Sequence, residues 1–286
     1  MTMLGIQELL TSVEVGLIFG VVAMGIYMTF KTINFVDMTC DGSFILGAAT
    51  TAATIKAGID PYISICFSMV AGAFAGLITG TLNKFCRIAD ILSGIIVAYV
   101  LYSVNLMIMG NSPSMAIIDC ETVFSDSGLP MIAIVAVIVL SVMYMMFSSF
   151  GLKLRAVGYN RQFATTYGID VNKMTLFGLA ISNAMIAAGG SLFSQYQGFC
   201  DVSGGTGMLV TGLASIVVGT KALPFKNEPL LIVSCIVGSI LYRIFLNVAL
   251  HSDVLGIKTQ NLNLVTGLII VSIMMMKRKE QGRCLG

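Results

Sequence analysis

The feature that most constrains this chain is a series of long apolar runs separated by short polar segments. The runs lie at about residues 9–30, 43–56, 62–82, 91–109, 130–147, 174–196, 206–220, 229–247 and 262–276. Several of them reach the roughly 20 residues that an α-helix needs to cross the hydrocarbon core of a bilayer. They predict an all-α integral membrane protein with about nine transmembrane helices, within a range of roughly eight to ten.

The composition agrees with a chain that lies almost entirely in lipid. Hydrophobic residues make up 57% and charged residues 10%, whereas soluble domains have about 25% charged residues. No polar stretch is long enough for a second domain, so residues 1–286 are predicted to form one membrane domain. Met1–Thr11 carries no Lys or Arg, unlike a cleavable signal peptide, so the first run is expected to remain as a membrane helix.

The distribution of basic residues predicts the orientation. With the N-terminus outside and the C-terminus in the cytoplasm, the cytoplasmic loops contain most of the Lys and Arg, as the positive-inside rule requires. We therefore expect a multi-pass protein of the bacterial plasma membrane. The basic residues assigned to the cytoplasm are Lys31, Lys84, Arg87, Lys153, Arg155, Arg161, Lys173, Lys221, Lys226, Lys277, Arg278, Lys279 and Arg283.

Two of the runs, 43–56 and 206–220, are short and rich in Gly, Ala, Ser and Thr. Such helices pack closely inside a helical bundle. Each follows a polar turn and ends in a lysine, Lys56 or Lys221, and by the predicted topology they cross in opposite directions. Transporters built from inverted repeats place short helices at matching positions around the substrate path. The alternative is that any two helices of small residues look alike.

Polar side chains within these runs and their neighbours are candidates for a substrate pathway. Polar groups at membrane depth are costly unless they face water or a polar partner. The alternative is that the hydroxyl groups bond back to carbonyls of their own helices. Arg243, inside a long span, is expected to form a structural ion pair, with a substrate contact as the alternative. The pathway candidates are Asp41, Ser43, Thr50, Asn105, Asn183, Thr211 and Ser215.

The sequence lacks the motifs of an enzyme. There is no GxxxxGK[ST] loop to hold nucleotide phosphates. The single histidine and the scattered cysteines offer neither a metal site nor a nucleophile–base pair. We therefore expect a non-catalytic membrane subunit with no cofactor or metal of its own, with lipid but no nucleic acid as a partner.

The segment 148–173 is the longest basic loop on the predicted cytoplasmic side. Tyr159, Phe163 and Tyr167 recur every four residues, so a short helix between Gly158 and Gly168 would place the three rings on one face. Aromatic residues beside basic ones suit docking into a groove of a partner protein. A helix that lies in the lipid headgroup layer would have the same composition.

This loop also carries a family resemblance. Its run GLKLRAVGYNRQFATTYGIDVNK resembles the coupling loop of bacterial ABC importer permeases of the branched-chain amino acid and ribose type. The run NFVDMTCDGSFILGA is similar to a subgroup whose partners are often predicted to bind tryptophan or tyrosine. The similarity extends over roughly residues 15–276. One departure is Tyr159-Asn160-Arg161, where many relatives have a Glu-Asn-Pro-like step, and it leaves the identity of the matching ATPase open.

The resemblance implies a function and a set of partners. Two permease copies would form the pore, separate ATPase subunits would use ATP, and an extracytoplasmic binding protein would deliver a small polar solute, in particular an aromatic or branched-chain amino acid. The alternatives are a stand-alone secondary transporter or channel, and a membrane subunit of a redox complex, which a single histidine argues against. The residues expected to couple to the ATPase are Arg155, Gly158, Tyr159, Asn160, Phe163, Tyr167 and Gly168.

Overall fold

The structure, a computed structural model, describes residues 6–117, 120–124, 129–225 and 227–251, together with Gly267. The helices are α1 Ile6–Tyr27, α2 Cys40–Lys56, α3 Pro61–Cys86, α4 Asp90–Ile108, α5 Leu129–Phe147, α6 Ser149–Tyr159, α7 Arg161–Thr166, α8 Val171–Gln197, α9 Met208–Ala222 and α10 Glu228–His251. The strands are β1 Ser114–Ala116 and β2 Phe199–Asp201.

Within this described part, 7 helical segments are long and apolar enough to cross a membrane. Each coincides with a run predicted from the sequence. The predicted run at 43–56 forms α2, a helix of 17 residues that is shorter than these spans. The predicted run at 262–276 lies outside the described residues except for Gly267, so the count of nine is not confirmed. The seven segments are 7–33, 61–86, 90–108, 130–147, 171–197, 202–222 and 230–248.

Helix α8 is at the centre of the bundle, with α1, α2 and α3 packed along it. Glycine makes these close contacts possible. A Cβ added to Gly72 or Gly76 of α3 would collide with the carbonyl oxygen of Asn183 or Leu179 on α8. Such backbone-to-backbone approach is a common way for membrane helices to gain packing energy, because lipid provides no hydrophobic drive between them.

Helix α1 continues into a π-helical turn, Met28–Ile33, which ends at Asn34 with a left-handed φ of 57°. A short segment then leads to α2. Helix α6 packs against this turn, and a Cβ on Gly158 would collide with the carbonyl of Thr32. The turn therefore anchors the loop between α5 and α8 to the membrane helices.

The segments that follow α4 and α8 are joined by an antiparallel ribbon of β1 and β2, in which Met115 lies opposite Cys200. This ribbon is a small departure from the predicted all-α architecture. Cys200 is buried and Cys120 partly exposed, and both are free thiols. The ribbon fixes the position at which the chain enters α9.

Candidate transport pathway and coupling surface

Asp41 joins the two short helices that the sequence pairs as counterparts. It lies in the first turn of α2, and its carboxylate accepts hydrogen bonds from the backbone N–H groups of Leu209 (2.9 Å) and Gly207 (3.1 Å) at the start of α9. The first N–H groups of a helix have no partner within the helix, and the helix dipole favours a negative charge there. The N-termini of α2 and α9 therefore meet at one carboxylate.

A buried polar network holds the beginning of α2 to the middle of α8. Ser43 donates a hydrogen bond of 2.6 Å to the side-chain oxygen of Asn183. The amide nitrogen of Asn183 donates to the carboxylate of Asp37 at 2.8 Å and to the carbonyl of Leu179 at 3.0 Å. The other carboxylate oxygen of Asp37 accepts from the backbone N–H of Thr39 at 2.8 Å. Buried polar groups that satisfy one another in this way fix a unique packing.

The same two helices remain in contact toward their C-terminal ends. A Cβ on Gly47 would overlap the backbone of Ala187, and Thr51 donates to the hydroxyl of Ser191 at 2.7 Å. Matching residues advance together along both chains, so α2 and α8 run parallel. We call this contact, together with Asp37, Ser43 and Asn183, the α2–α8 interface. Asp37 was not among the site residues predicted from the sequence, although a carboxylate in an almost uncharged stretch was a signal of a functional position.

Three of the predicted pathway hydroxyls bond back to their own helices. Thr50 donates to the carbonyl of Leu46 at 2.7 Å, Thr211 to that of Met208 at 2.9 Å, and Ser215 to that of Thr211 at 2.9 Å. This is the arrangement that the packing alternative predicts, and it satisfies each hydroxyl without a solute. Their role in a pathway stays a prediction.

Asn105 is fully buried where α4 contacts α2. Its amide nitrogen donates to the carbonyl of Gly42 at 3.2 Å. Its side-chain oxygen has no hydrogen-bond partner among the described residues. The structure thus gathers Asp41, Ser43, Asn105 and Asn183 around the first turns of α2.

The predicted single helix from Gly158 to Gly168 is wrong, because the chain forms two helices there. Asn160 has extended backbone angles (φ −156°, ψ 108°), and its side chain accepts the N–H of Phe163 at 3.0 Å. Asparagine is a favoured N-cap, so it ends α6 and begins α7. Gly168, with φ of 73°, follows the end of α7. Tyr159 consequently lies on a different helix from Phe163.

The three aromatic side chains nevertheless share one surface. Their exposed fractions are 95% for Tyr159, 52% for Phe163 and 71% for Tyr167. The rings of Phe163 and Tyr167 lie 4.5 Å apart. All three border a concavity of about 940 Å³, which Lys31 and Lys153 also line. We call these five residues the loop-end surface.

Arg155 and Gly158 also line this concavity, and their contacts hold the loop-end surface in place. The guanidinium of Arg155 donates to the carbonyl of Met146, near the end of α5, at 3.1 Å and to that of Gly151 in α6 at 3.3 Å. A cation is favourable beside the unpaired carbonyls of a helix C-terminus. Gly158 meets the π-helical turn, as described above. These two residues therefore position α6.

Charged side chains also make contacts in the middle of the loop and at its end. Arg161 of α7 lies 3.8 Å from the carboxylate of Asp90 at the start of α4. Asp170 is the N-cap of α8 and accepts the backbone N–H of Lys173 at 3.1 Å. This hydrogen bond stabilises the ionised form and so lowers the pKa of the exposed Asp170 carboxyl below its ordinary value.

The ion pair expected for Arg243 is not formed within the part of the chain that the structure describes. The two ion pairs found there are Arg161–Asp90 and Lys173–Asp170. The guanidinium carbon of Arg243 instead lies 3.7 Å from the ring centroid of Phe19. A cation over an aromatic face is attracted by the ring quadrupole.

These apolar spans around a polar centre define a multi-pass membrane protein, with a helical loop that displays aromatic side chains at one end. Comparison with known proteins identifies the family. The chain belongs to the branched-chain amino acid transport system / permease component family, whose model matches residues 9–274. It is thus an ABC transporter permease subunit of the inner membrane, as the resemblance predicts.

Individual relatives agree with this assignment. The chain is 35% identical to a tyrosine transport system permease protein of Clostridioides difficile, over 95% of this chain and 91% of the relative. It is 29% identical to a protein of Methanocaldococcus jannaschii assigned as the branched-chain amino acid transport permease LivH, over 70% of this chain and 69% of the relative.

A solved structure shows the same fold. It is an ABC transporter assigned to the metal-chelate type, in an inward-facing conformation, and it matches with a TM-score of 0.51. The match covers 95% of this chain and 85% of that chain at 16% sequence identity. At this identity the likeness establishes the architecture alone.

Proposed function

We propose that this permease forms the membrane pathway of an ATP-driven importer for an amino acid, aromatic or branched-chain. The family supports an ABC permease, and the relative from Clostridioides difficile is named for tyrosine transport. The residues gathered at the start of α2, which are Asp41, Ser43, Asn105 and Asn183, are the proposed border of this pathway. Thr50, Thr211 and Ser215 are proposed to contribute through their helices.

The loop-end surface is the observation that carries the coupling role. Aromatic side chains that are 52% to 95% exposed contribute much less to the stability of the fold than buried ones do. Exposed apolar groups of this kind, flanked by basic ones, mark protein interaction sites. Arg155, Gly158, Asn160 and Gly168 shape the backbone that presents them. A separate ATPase subunit, which uses ATP, is the proposed occupant of this surface.

The remaining partners follow from the same proposal. A second permease copy completes the pore, and an extracytoplasmic binding protein delivers the solute. The basic residues of the loop favour a cytoplasmic position for residues 148–173, and we propose that the N-terminus lies outside and the C-terminus in the cytoplasm. This chain binds no cofactor in the scheme, because ATP is hydrolysed in the partner.

Replacing Phe163 tests the coupling role. Phe163→Asp places a charge in the docking contact, and burying an unpaired charge costs on the order of 3–5 kcal/mol. We expect the ATPase to be lost on co-purification and solute uptake to stop, while membrane yield and the unfolding midpoint stay unchanged. Phe163→Leu is the matched control, since it keeps an apolar side chain, and it should retain both activities.

Two results would contradict the proposal. Normal co-purification and uptake in Phe163→Asp would remove the coupling role from this surface. Uptake that persists in cells without the ATPase would instead favour a stand-alone transporter.

A further inference from the structure

A cavity of about 310 Å³ lies between α1, α2, α8, α9 and α10, away from the loop-end surface. Three of its walls carry phenylalanine side chains that pack on one another. The ring centroids are 5.2 Å apart for Phe19 and Phe193, 5.7 Å for Phe44 and Phe193, and 6.0 Å for Phe19 and Phe44. This volume lies at the lower end of the roughly 300–1,000 Å³ typical of small-molecule sites, which are mostly apolar with a few polar groups.

Arg243 brings a positive charge to this cavity. Its guanidinium lies on the face of Phe19, and its Nε atom is buried with no hydrogen-bond partner among the described residues. A buried N–H donor is costly unless a hydrogen-bond acceptor compensates it, and the side chain around it is only partly exposed. The planar guanidinium presents its N–H groups as a fork that matches the two oxygens of a carboxylate. Arg243 could therefore bind a carboxylate that the described residues do not supply.

Asp201 brings a negative charge to the same cavity. One of its carboxylate oxygens accepts hydrogen bonds from the backbone N–H of Ser203 at 2.7 Å and from the Ser203 hydroxyl at 2.5 Å, which hold the side chain in position. Asp201 and Arg243 line one space, yet no ion pair joins them within the described part of the chain. The cavity therefore offers both a positive and a negative group to a molecule that carries both charges.

We propose that this cavity binds the transported solute as a zwitterionic α-amino acid with a large apolar or aromatic side chain. Arg243 holds the α-carboxylate, Asp201 faces the α-ammonium group, and the phenylalanine cluster receives the side chain. This inference rests on the proposed import of an amino acid and specifies the site within it. It assigns recognition to Arg243 and Asp201, which are not among the residues grouped with Asp41 at the start of α2.

The absence of tryptophan from the sequence allows a direct measurement. Phe199 lines the cavity and is partly exposed, so Phe199→Trp places a single indole reporter there. The purified full-length permease carrying this change is titrated with L-phenylalanine. Phenethylamine, which lacks the carboxylate, and hydrocinnamate, which lacks the ammonium group, are titrated in parallel. We expect each analogue to bind about tenfold or more weakly than L-phenylalanine, the loss typical of one charge-assisted contact.

Substitution of Arg243 in the reporter protein completes the test. Arg243→Gln should weaken L-phenylalanine binding about tenfold or more. Arg243→Lys keeps the positive charge but not the planar fork of N–H groups, so it should weaken binding to an intermediate degree. Because phenethylamine has no carboxylate to lose, its affinity should not fall in Arg243→Gln. Lys56→Gln removes an exposed positive charge from the end of α2 and is the matched control, with unchanged binding expected. Co-purification of the ATPase with Arg243→Gln should stay normal.

The outcomes separate this inference from the importer proposal. Unchanged L-phenylalanine affinity in Arg243→Gln, or no fluorescence response to L-phenylalanine and L-leucine, would overturn the inference and leave ATPase coupling intact. Equal affinity for all three probes would also overturn it, and that comparison needs no Arg243 variant to fold. Loss of the importer proposal would appear elsewhere, as a wild-type permease that never associates with an ATPase.

Discussion

The α2–α8 interface and the loop-end surface both depend on conspicuous polar or aromatic residues, but they use them in opposite ways. At the interface, Ser43 and Asn183 are fully buried and bonded to each other. On the loop-end surface, Tyr159 and Tyr167 are mostly exposed. Groups that satisfy one another stabilise the fold, whereas exposed aromatic groups are available to a partner. The two regions should therefore respond differently to substitution, in stability at one and in association at the other.

The largest effect on the interface is expected from one added methyl group. Gly47→Ala would push a Cβ into the backbone of Ala187, which cannot move without displacing α8. Overpacking of this kind costs about 1–3 kcal/mol, and a backbone neighbour places the cost at the upper end, about 3 kcal/mol. Membrane yield and the unfolding midpoint in detergent would both fall. Gly204→Ala is the matched control, because nothing lies within 4 Å of its added Cβ. Equal midpoints for the two variants would show that α2 and α8 are loosely packed.

An intermediate effect is expected from two asparagines that differ in their bonding. Asn183→Leu leaves the Ser43 hydroxyl and a carboxylate oxygen of Asp37 without this partner, at a cost of about 2–3 kcal/mol in unfolding free energy. Asn105→Leu removes a single hydrogen bond of 3.2 Å and a side-chain oxygen that has no partner in the described structure, so it should cost much less. The two unfolding midpoints, measured side by side, decide this. A larger loss for Asn105→Leu would contradict the network.

The smallest effect is expected from two neighbouring basic residues of the loop. Arg155→Ala removes one hydrogen bond to the end of α5 and one within α6, and should lower the unfolding free energy by about 1 kcal/mol. Lys153→Ala, two residues away and exposed, should leave stability unchanged and weaken ATPase association. Stability is read from thermal unfolding and association from co-purification. If the two variants changed stability and ATPase association in the same way, Arg155 could not be distinguished from Lys153 as a residue that positions the loop.

The membrane helices could be predicted from the sequence because their signal is local. Each span, such as 61–86 or 130–147, is a continuous apolar run whose length alone matches the bilayer. The short helices α2 and α9 were also visible, from their small residues. The prediction for the loop was wrong at one position. A four-residue aromatic spacing suggested one helix, but Asn160 was a cap signal of equal local strength, and it decides the structure.

The site was less predictable because its contacts join distant parts of the chain. Asn183 bonds to Asp37 across 146 residues and to Ser43 across 140 residues. No spacing rule reaches that far, so Asn183 was found as a polar residue in a span, and Asp37 was not found. Arg243 was expected to have an anionic partner, and only the folded arrangement shows an aromatic ring in that place.

The junction at Asp41 also has a consequence for biosynthesis. The acceptor carboxylate and the donor N–H of Gly207 are 166 residues apart in sequence. At a synthesis rate of about 5–20 residues per second, roughly 10 to 30 seconds pass between the emergence of the two groups from the ribosome. During that interval the Asp41 carboxyl group must be hydrated, protonated or bound to another partner. The first half of the protein therefore cannot finish assembling in the membrane until the ribosome has delivered the second.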